Sequence, residues 1–242
     1  VRPGPWKDTR LDVASAAQVR GVLERVRPQA VFYCSYSRTD RVITVDGAHE
    51  AARVSARLGA RFVLVSTDLV FDGRSGSYAE SAPAIPLLPY GRLKVEAESA
   101  VRAALSHAVV LRPSLLVGES GITLRPAYEC GALVRGQPVD LYTDEWRSPV
   151  HVDDVARAAW DLACREVSGT FHAGGPERLS RFELGRILCR LYRFEPALLR
   201  EAKRPADRPR DTSLDSSRLA ALLGWAPQPL LAAAGVLEPA GV

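Results

Sequence analysis

The stretch at 61–118, RFVLVSTDLVFDGRSGSYAESAPAIPLLPYGRLKVEAESAVRAALSHAVVLRPSLLVG, decides the fold. RFVLVS is a short apolar run that reads as a buried strand; 72–89, rich in Gly, Ser and Pro, must be loop. From 90 to 105 apolar residues return with helical periodicity, and AVVLRPSLLVG at 108–118 is another strand, leaving toward a different environment. Working outward, AVFYC at 30–34 is a further buried strand, and a helix over about 45–58 stops at Gly59. Asp12 can cap a helix over 15–25 that presents Val19, Val22, Leu23 and Val26 on one face and ends before Pro28; TRLDV, at 9–13, reads as a strand before it. Helix and strand alternate as in a parallel sheet.

Beyond Gly118 the elements shorten. A helix-like stretch at 124–134, a turn at 136–138 and the strand VDLYT precede a strongly amphipathic helix opening at His151, with Asp153 and Asp154 in its first turn. GTFHAGG is a strand, Ser180 with Glu183 forms a capping box for a helix reaching about Tyr192, and 215–223 is a last helix ending at Gly224. The expected architecture is α/β: a Rossmann-like doubly wound parallel sheet, incomplete at its N-terminus, over 1–115, and a smaller substrate-binding lobe over 116–242, some of whose segments return to the first unit.

With 242 residues, 47% of them hydrophobic and 25% charged, the chain can bury one large core or a core and a small lobe. It shows no apolar run of membrane-spanning length and its first residues lack the apolar core of a signal peptide, so the expected location is cytoplasmic, with no membrane partner. Cys34, Cys130, Cys164 and Cys189 are scattered without metal-binding spacing and read as reduced core thiols. His151 and His172 likewise read as structural, and no metal is expected. The net charge of +4 is carried almost wholly by Arg, since Lys occurs only at 7, 94 and 203. The basic stretch 200–210 is broken by Pro, Glu and Asp; it reads as a solvated loop or an anion-contacting one, and nucleic acid is not an expected partner.

Two features carry chemistry. Tyr90 and Lys94, four apart at a helix start, share a face, where an ammonium would lower the phenol pKa and let Tyr90 protonate a carbonyl oxygen. Ser66, Thr67 and Asp68 lie at the carboxyl end of a strand, where open parallel sheets place their ligand crevice, and a hydroxyl there can bond the same oxygen. Between them runs a disordered-looking loop.

This combination, VLVSTDLVFDG followed by PYGRLKVEAE within 63–98, resembles the core of the dTDP-4-dehydrorhamnose reductases among the extended short-chain dehydrogenases. The likeness continues through LRPSLLVG, RSPVHVDDVA and FHAGGPERLSRFELG and covers about 12–225. It implies an NADP- or NAD-dependent reductase of a nucleotide-linked 4-keto-deoxysugar, with Thr67 as the catalytic hydroxyl, Tyr90 as the acid and Lys94 holding the nicotinamide ribose. Asp68 is implied as a substrate or proton-relay contact. Cys34, Ser35, Ser66 and Arg112 are expected toward the cofactor, and Ser114 and Arg147 toward the substrate, Arg147 at its diphosphate. A homodimer is left open.

The sequence departs from the family in two places. No GxxGxxG turn is present to cradle a pyrophosphate, which weakens the expected grip on the cofactor and, with the strands that accompany it, would leave a buried sheet edge unpaired. The expectation is that more coding sequence lies upstream; the alternative is that the chain packs differently and does not bind cofactor in the usual way. Between Cys34 and Asp46 the chain is shorter than its relatives, and Asp46 is read at the position of an Asn that orders a water behind the catalytic Lys. Competing readings are a non-catalytic binding or regulatory member, such as the regulatory subunit of methionine adenosyltransferase, and an epimerase or dehydratase.

Overall fold

The computed structural model describes residues 10–118 and 131–233. Its centre is a four-stranded, all-parallel sheet of β1 (Ala30–Tyr33), β2 (Arg61–Val65), β3 (Val109–Pro113) and β8 (Gly169–Ala173), ordered β1-β2-β3-β8. Alternation along each strand splits the core between two faces. Phe62, Leu64 and Val110 face one layer of helices, α1 (Ala16–Val26), α2 (Gly47–Leu58) and α3 (Pro89–Ala104). Val63, Val109, Leu111 and Phe171 face the other, α4 (Val152–Ala163) and α6 (Ser217–Leu223). The sheet is thus doubly wound, as expected, and α4, β8 and α6 are the later segments that return to it.

The smaller lobe is built from short pairs: β4 (Leu116–Val117) beside β7 (Val150–His151), β5 (Val139–Tyr142) beside β10 (Leu199–Ala202), and β6 (Trp146–Arg147) antiparallel to β9 (Leu179–Ser180). Helix α5 (Arg181–Tyr192) buries Leu184, Leu188 and Cys189 between them, and opens with the expected capping box of Ser180 and Glu183. Among the described residues no helix is long and apolar enough to cross a membrane.

Several details differ from the sequence reading. Ser15, not Asp12, caps α1, because the Asp12 carboxylate is spent on the Ala14 amide 3.0 Å away. Residues 10–13 form no strand; β1 is the outer strand of the sheet, hydrogen-bonded only to β2 among the described residues, and its edge is half-exposed rather than buried. The run at 108–118 is two strands, β3 and β4. Part of the basic stretch 200–210 is β10 rather than loop. Cys34 and Cys164 are exposed, so only Cys189 is a core thiol among the described cysteines; Cys130 lies outside the described residues, as does most of the helix expected at 124–134.

The loop between β2 and α3, which reads as disordered, is strapped down. Phe71 and Tyr78 stack with ring centroids 4.2 Å apart, Tyr78 donates its hydroxyl to Asp72 at 2.5 Å, and its amide donates to the Ser213 carbonyl at 2.9 Å. Aromatic stacking and hydrogen bonds to 211–214 replace the apolar periodicity that a sequence pattern would reveal.

Gly91 fixes how closely α3 approaches the end of β2. A Cβ there would lie 2.1 Å from the Leu69 carbonyl oxygen and 2.8 Å from Pro86 Cβ, so only glycine lets the first turn of α3 rest on the turn at 68–70. Gly91→Ala is expected to destabilise the chain by about 2 kcal/mol or more, read as a lower urea midpoint. Gly21→Ala is the counterpart: it meets nothing within 4 Å on helical α1, and should stabilise by about 0.5–1 kcal/mol.

Candidate active site

Strand β2 ends in Val65, and the chain turns at once into a short 3-10 helix, Asp68–Val70. Thr67 caps that turn: its backbone is extended and its hydroxyl oxygen accepts the Leu69 amide at 3.2 Å. The same hydroxyl lies 3.3 Å from Asp68 Oδ1, a long bond. Tyr90 is the second residue of α3, after Pro89 at its first position. Lys94 follows one turn later and is 2% exposed. Thr67, Tyr90 and Lys94 line one cavity of about 640 Å³, together with Cys34, Ser66 and Ser114, at the carboxyl ends of β1 to β3. The constellation expected from sequence is therefore brought together. A wall of Phe32, Val155 and Trp160 closes its apolar side, and Trp160, stacked on Phe32, is 58% exposed.

The electrostatics differ from the simple picture of Lys94 lowering the Tyr90 pKa. Burial pushes the Tyr90 phenol well above its usual value, with Tyr36 and Asp68 adding to the effect and Arg38 and the Thr67 hydroxyl opposing it. The cation over the Tyr90 ring is Arg38, 5.6 Å from the ring centre. Lys94 Nζ instead donates to the Val65 carbonyl at 2.8 Å and sits 5.5 Å from the centre of the Tyr36 ring. Its own pKa is lowered to about 8 by burial, against the pull of Glu98.

Several expected site residues have their polar groups engaged within the protein. Asp68 is fully buried and receives both ends of the Arg147 guanidinium, with Nε at 2.6 Å from Oδ2 and Nη2 on Oδ1, and the Ser114 hydroxyl at 2.7 Å. Neither Asp68 nor Arg147 lines the cavity: the Asp68 carboxylate lies against the Thr67 hydroxyl, and the Arg147 guanidinium is taken up by Asp68. Arg112, also expected at the ligand, forks onto Glu98 at 2.9 and 2.7 Å. Ser66 lines the cavity, but its hydroxyl is given to Glu98 at 2.6 Å. Ser35 is half-buried in the neighbouring loop and outside the cavity lining.

Asp46 also corrects its reading. It is half-exposed at the end of a π-helical turn, Val42–Asp46, and pairs with Arg41 at 2.6 Å on the surface. The buried polar side chain of that turn is Thr44, whose hydroxyl accepts from the Ser37 amide and donates to the Ser37 carbonyl, both at 2.8 Å, fixing the loop that carries Tyr36. Tyr36 and Arg38 escaped the sequence reading because a short polar loop has no periodicity to mark the residues that reach Tyr90; they meet it only in three dimensions.

Comparison with known proteins follows this geometry. The sequence profile of the RmlD substrate binding domain matches residues 4–234. A probable low-salt glycan biosynthesis reductase, Agl14, of Haloferax volcanii is 34% identical, over 70% of this chain and 60% of its own length. A dTDP-4-keto-6-deoxy-D-glucose reductase of Streptomyces niveus is 31% identical over 82% of this chain and 72% of its own, and the methionine adenosyltransferase 2 subunit beta of Bos taurus is 28% identical over 89% and 71%. Among solved structures, a hypothetical dTDP-4-dehydrorhamnose reductase from Sulfolobus tokodaii superposes with a TM-score of 0.79 at 25% identity, covering 92% of this chain and 84% of that one. The dTDP-glucose 4,6-dehydratase DesIV of Streptomyces venezuelae, with NAD and TYD bound, gives 0.77 at 26% identity over 93% and 76%. Matched over nearly its whole length, and sharing this Rossmann-like sheet, the chain belongs to the RmlD substrate-binding domain family.

Proposed function

We propose that the protein is an NAD(P)H-dependent reductase of a nucleotide-linked 4-keto-deoxysugar, of the kind used in dTDP-rhamnose biosynthesis. The observation that carries this reading is the meeting of Thr67, Tyr90 and Lys94 in one cavity at the carboxyl end of a parallel sheet. The two reductases among the relatives and the NAD in the Streptomyces dehydratase support it.

The residues present fit the nicotinamide-ribose end of such a cofactor. Lys94 spends one of its three donors on Val65, leaving the others for ribose hydroxyls at the cavity wall. A bound nicotinamide supplies hydride to the carbonyl carbon. Because burial raises its pKa, Tyr90 is fully protonated at neutral pH and stands ready as the proton donor to the carbonyl oxygen as that oxygen gains charge. Thr67 is poised to exchange its long bond to Asp68 for one to the same oxygen. In the smaller lobe, a second cavity of about 590 Å³ is lined by Arg135, Arg181 and Arg208, and the Arg208 guanidinium at its wall forks onto Glu145 at 2.7 and 3.0 Å. Retention of all three reacting residues around one cavity favours this reading over a non-catalytic subunit.

Purified protein given dTDP-4-keto-6-deoxyglucose and NADPH should oxidise the cofactor, and Tyr90→Phe should lower kcat by about 100-fold or more; absence of turnover by the wild type would refute the reading. The pH dependence follows from Lys94. Its charged form is present below about pH 8 and lost as pH rises through that value, so kcat/KM should fall above about pH 8. In Lys94→Arg the surviving activity should be flat across the same range, because guanidinium does not titrate there.

A further inference from the structure

Glu98 is a carboxylate 1% exposed, one helical turn beyond Lys94 on α3, and it does not line the cavity. Its two oxygens are nonetheless fully engaged. Oε1 accepts from Ser66 Oγ at 2.6 Å and Arg112 Nε at 2.9 Å, and Oε2 accepts from Arg112 Nη2 at 2.7 Å and Arg102 Nη2 at 3.2 Å. Burial works against its charged form, but the hydrogen bonds and charge of Arg112, with Ser66 and Arg102, override this and hold the carboxyl below its usual range. Such an ion pair is weak as a source of stability, since two buried charges lose their hydration. Its position gives it another use.

We propose that Glu98 is a positioning residue of the active site: the buried counter-charge of the Lys94 ammonium, and the acceptor that anchors Ser66 and so the strand-end turn bearing Thr67. This rests on the reductase reading for its catalytic meaning, but the geometry stands apart from it. Lys94 and Glu98 are four residues apart on one helix face, both buried. The other groups facing Lys94 are Cys34 and Tyr36, from the end of β1 and the loop after it, and the Val65 carbonyl of β2; none of these is a carboxylate. Facing Glu98 are Arg102 on its own helix, Arg112 of β3 and Ser66 after β2. Arg112 in turn packs on Phe71 and lies near His172 of β8. Glu98 is therefore the carboxylate that Lys94 shares a helix face with, while its hydrogen bonds go to Arg112, Arg102 and Ser66.

The test reads Lys94 directly, without substrate or cofactor. With lysines only at 7, 94 and 203, 13Cε-lysine NMR gives a spectrum of few signals, and Lys94→Met assigns the one of interest. In Glu98→Gln the titration midpoint of Lys94 should fall by about one pH unit or more, because the compensating charge is gone while burial remains. Should that variant not fold, with Arg112 left unpaired, Glu98→Gln combined with Arg112→Gln replaces the ion pair by two neutral amides and should lower the midpoint in the same direction. In enzyme assays, the alkaline limb of kcat/KM should move with the midpoint, with kcat reduced more than KM is raised. A purely structural role would lower stability and leave the midpoint in place; an unchanged Lys94 midpoint in the folded variants overturns the proposal, whether or not the protein proves to be a reductase.

Discussion

Asp68 lies beneath the end of β2 with no access to solvent, and its two oxygens gather the Arg147 guanidinium and the Ser114 hydroxyl, with the Thr212 hydroxyl at 3.4 Å. A buried carboxylate without partners would cost several kcal/mol, so the chain must bring these groups together from β6, from the residue after β3 and from the segment before α6. That requirement ties the smaller lobe to the large sheet. It also places the cavity at their junction and holds Thr67, the residue next to Asp68, at its floor. Around that fixed point Gly91 lets α3 settle onto the turn at 68–70, which brings Tyr90 within reach of Thr67.

The second constraint is the charge beneath the helix. Lys94 is buried in a region where its ammonium has one carbonyl, one aromatic face and a carboxylate for company. Burial moves Tyr90 and Lys94 in opposite directions, the phenol up and the ammonium down, so that near neutral pH the pair holds a protonated phenol beside a cation. That is the ionisation a carbonyl reductase needs: a proton to give, and a positive charge in the same cavity. Arg38 over the Tyr90 ring, and Tyr36 against both, complete an environment assembled from a loop remote in sequence from α3.

Much of this was legible in the sequence. The apolar runs at 30–33, 61–65 and 109–113 marked the parallel strands, because buried strands need side chains apolar on both faces, and the Tyr90-to-Lys94 spacing marked one helix face. The polar residues were harder. Asp68, Arg112 and Arg147 sit in segments typical of ligand sites, and a charged residue at a strand end reads as a ligand contact; whether it faces the cavity or another charge depends on partners far along the chain, Glu98 for Arg112 and Asp68 for Arg147. Asp46 was read at an inward position for a related reason: a π-helical turn over 42–46 alters the helical register, and the inward polar side chain there is Thr44. The loop at 72–88 looked disordered because its order comes from one aromatic stack and hydrogen bonds to 211–214, which no local pattern announces.

The most direct measurement follows the hydride itself. NADPH deuterated at C4 of the nicotinamide would be incubated with the protein and dTDP-4-keto-6-deoxyglucose, and the nucleotide sugar examined by mass spectrometry. The expected result is a reduced sugar carrying one deuterium at C4, formed by the wild type and nearly absent with Tyr90→Phe. Recovery of the keto sugar unlabelled and unreduced from folded wild-type protein would contradict the assignment of Thr67, Tyr90 and Lys94 as a reducing site.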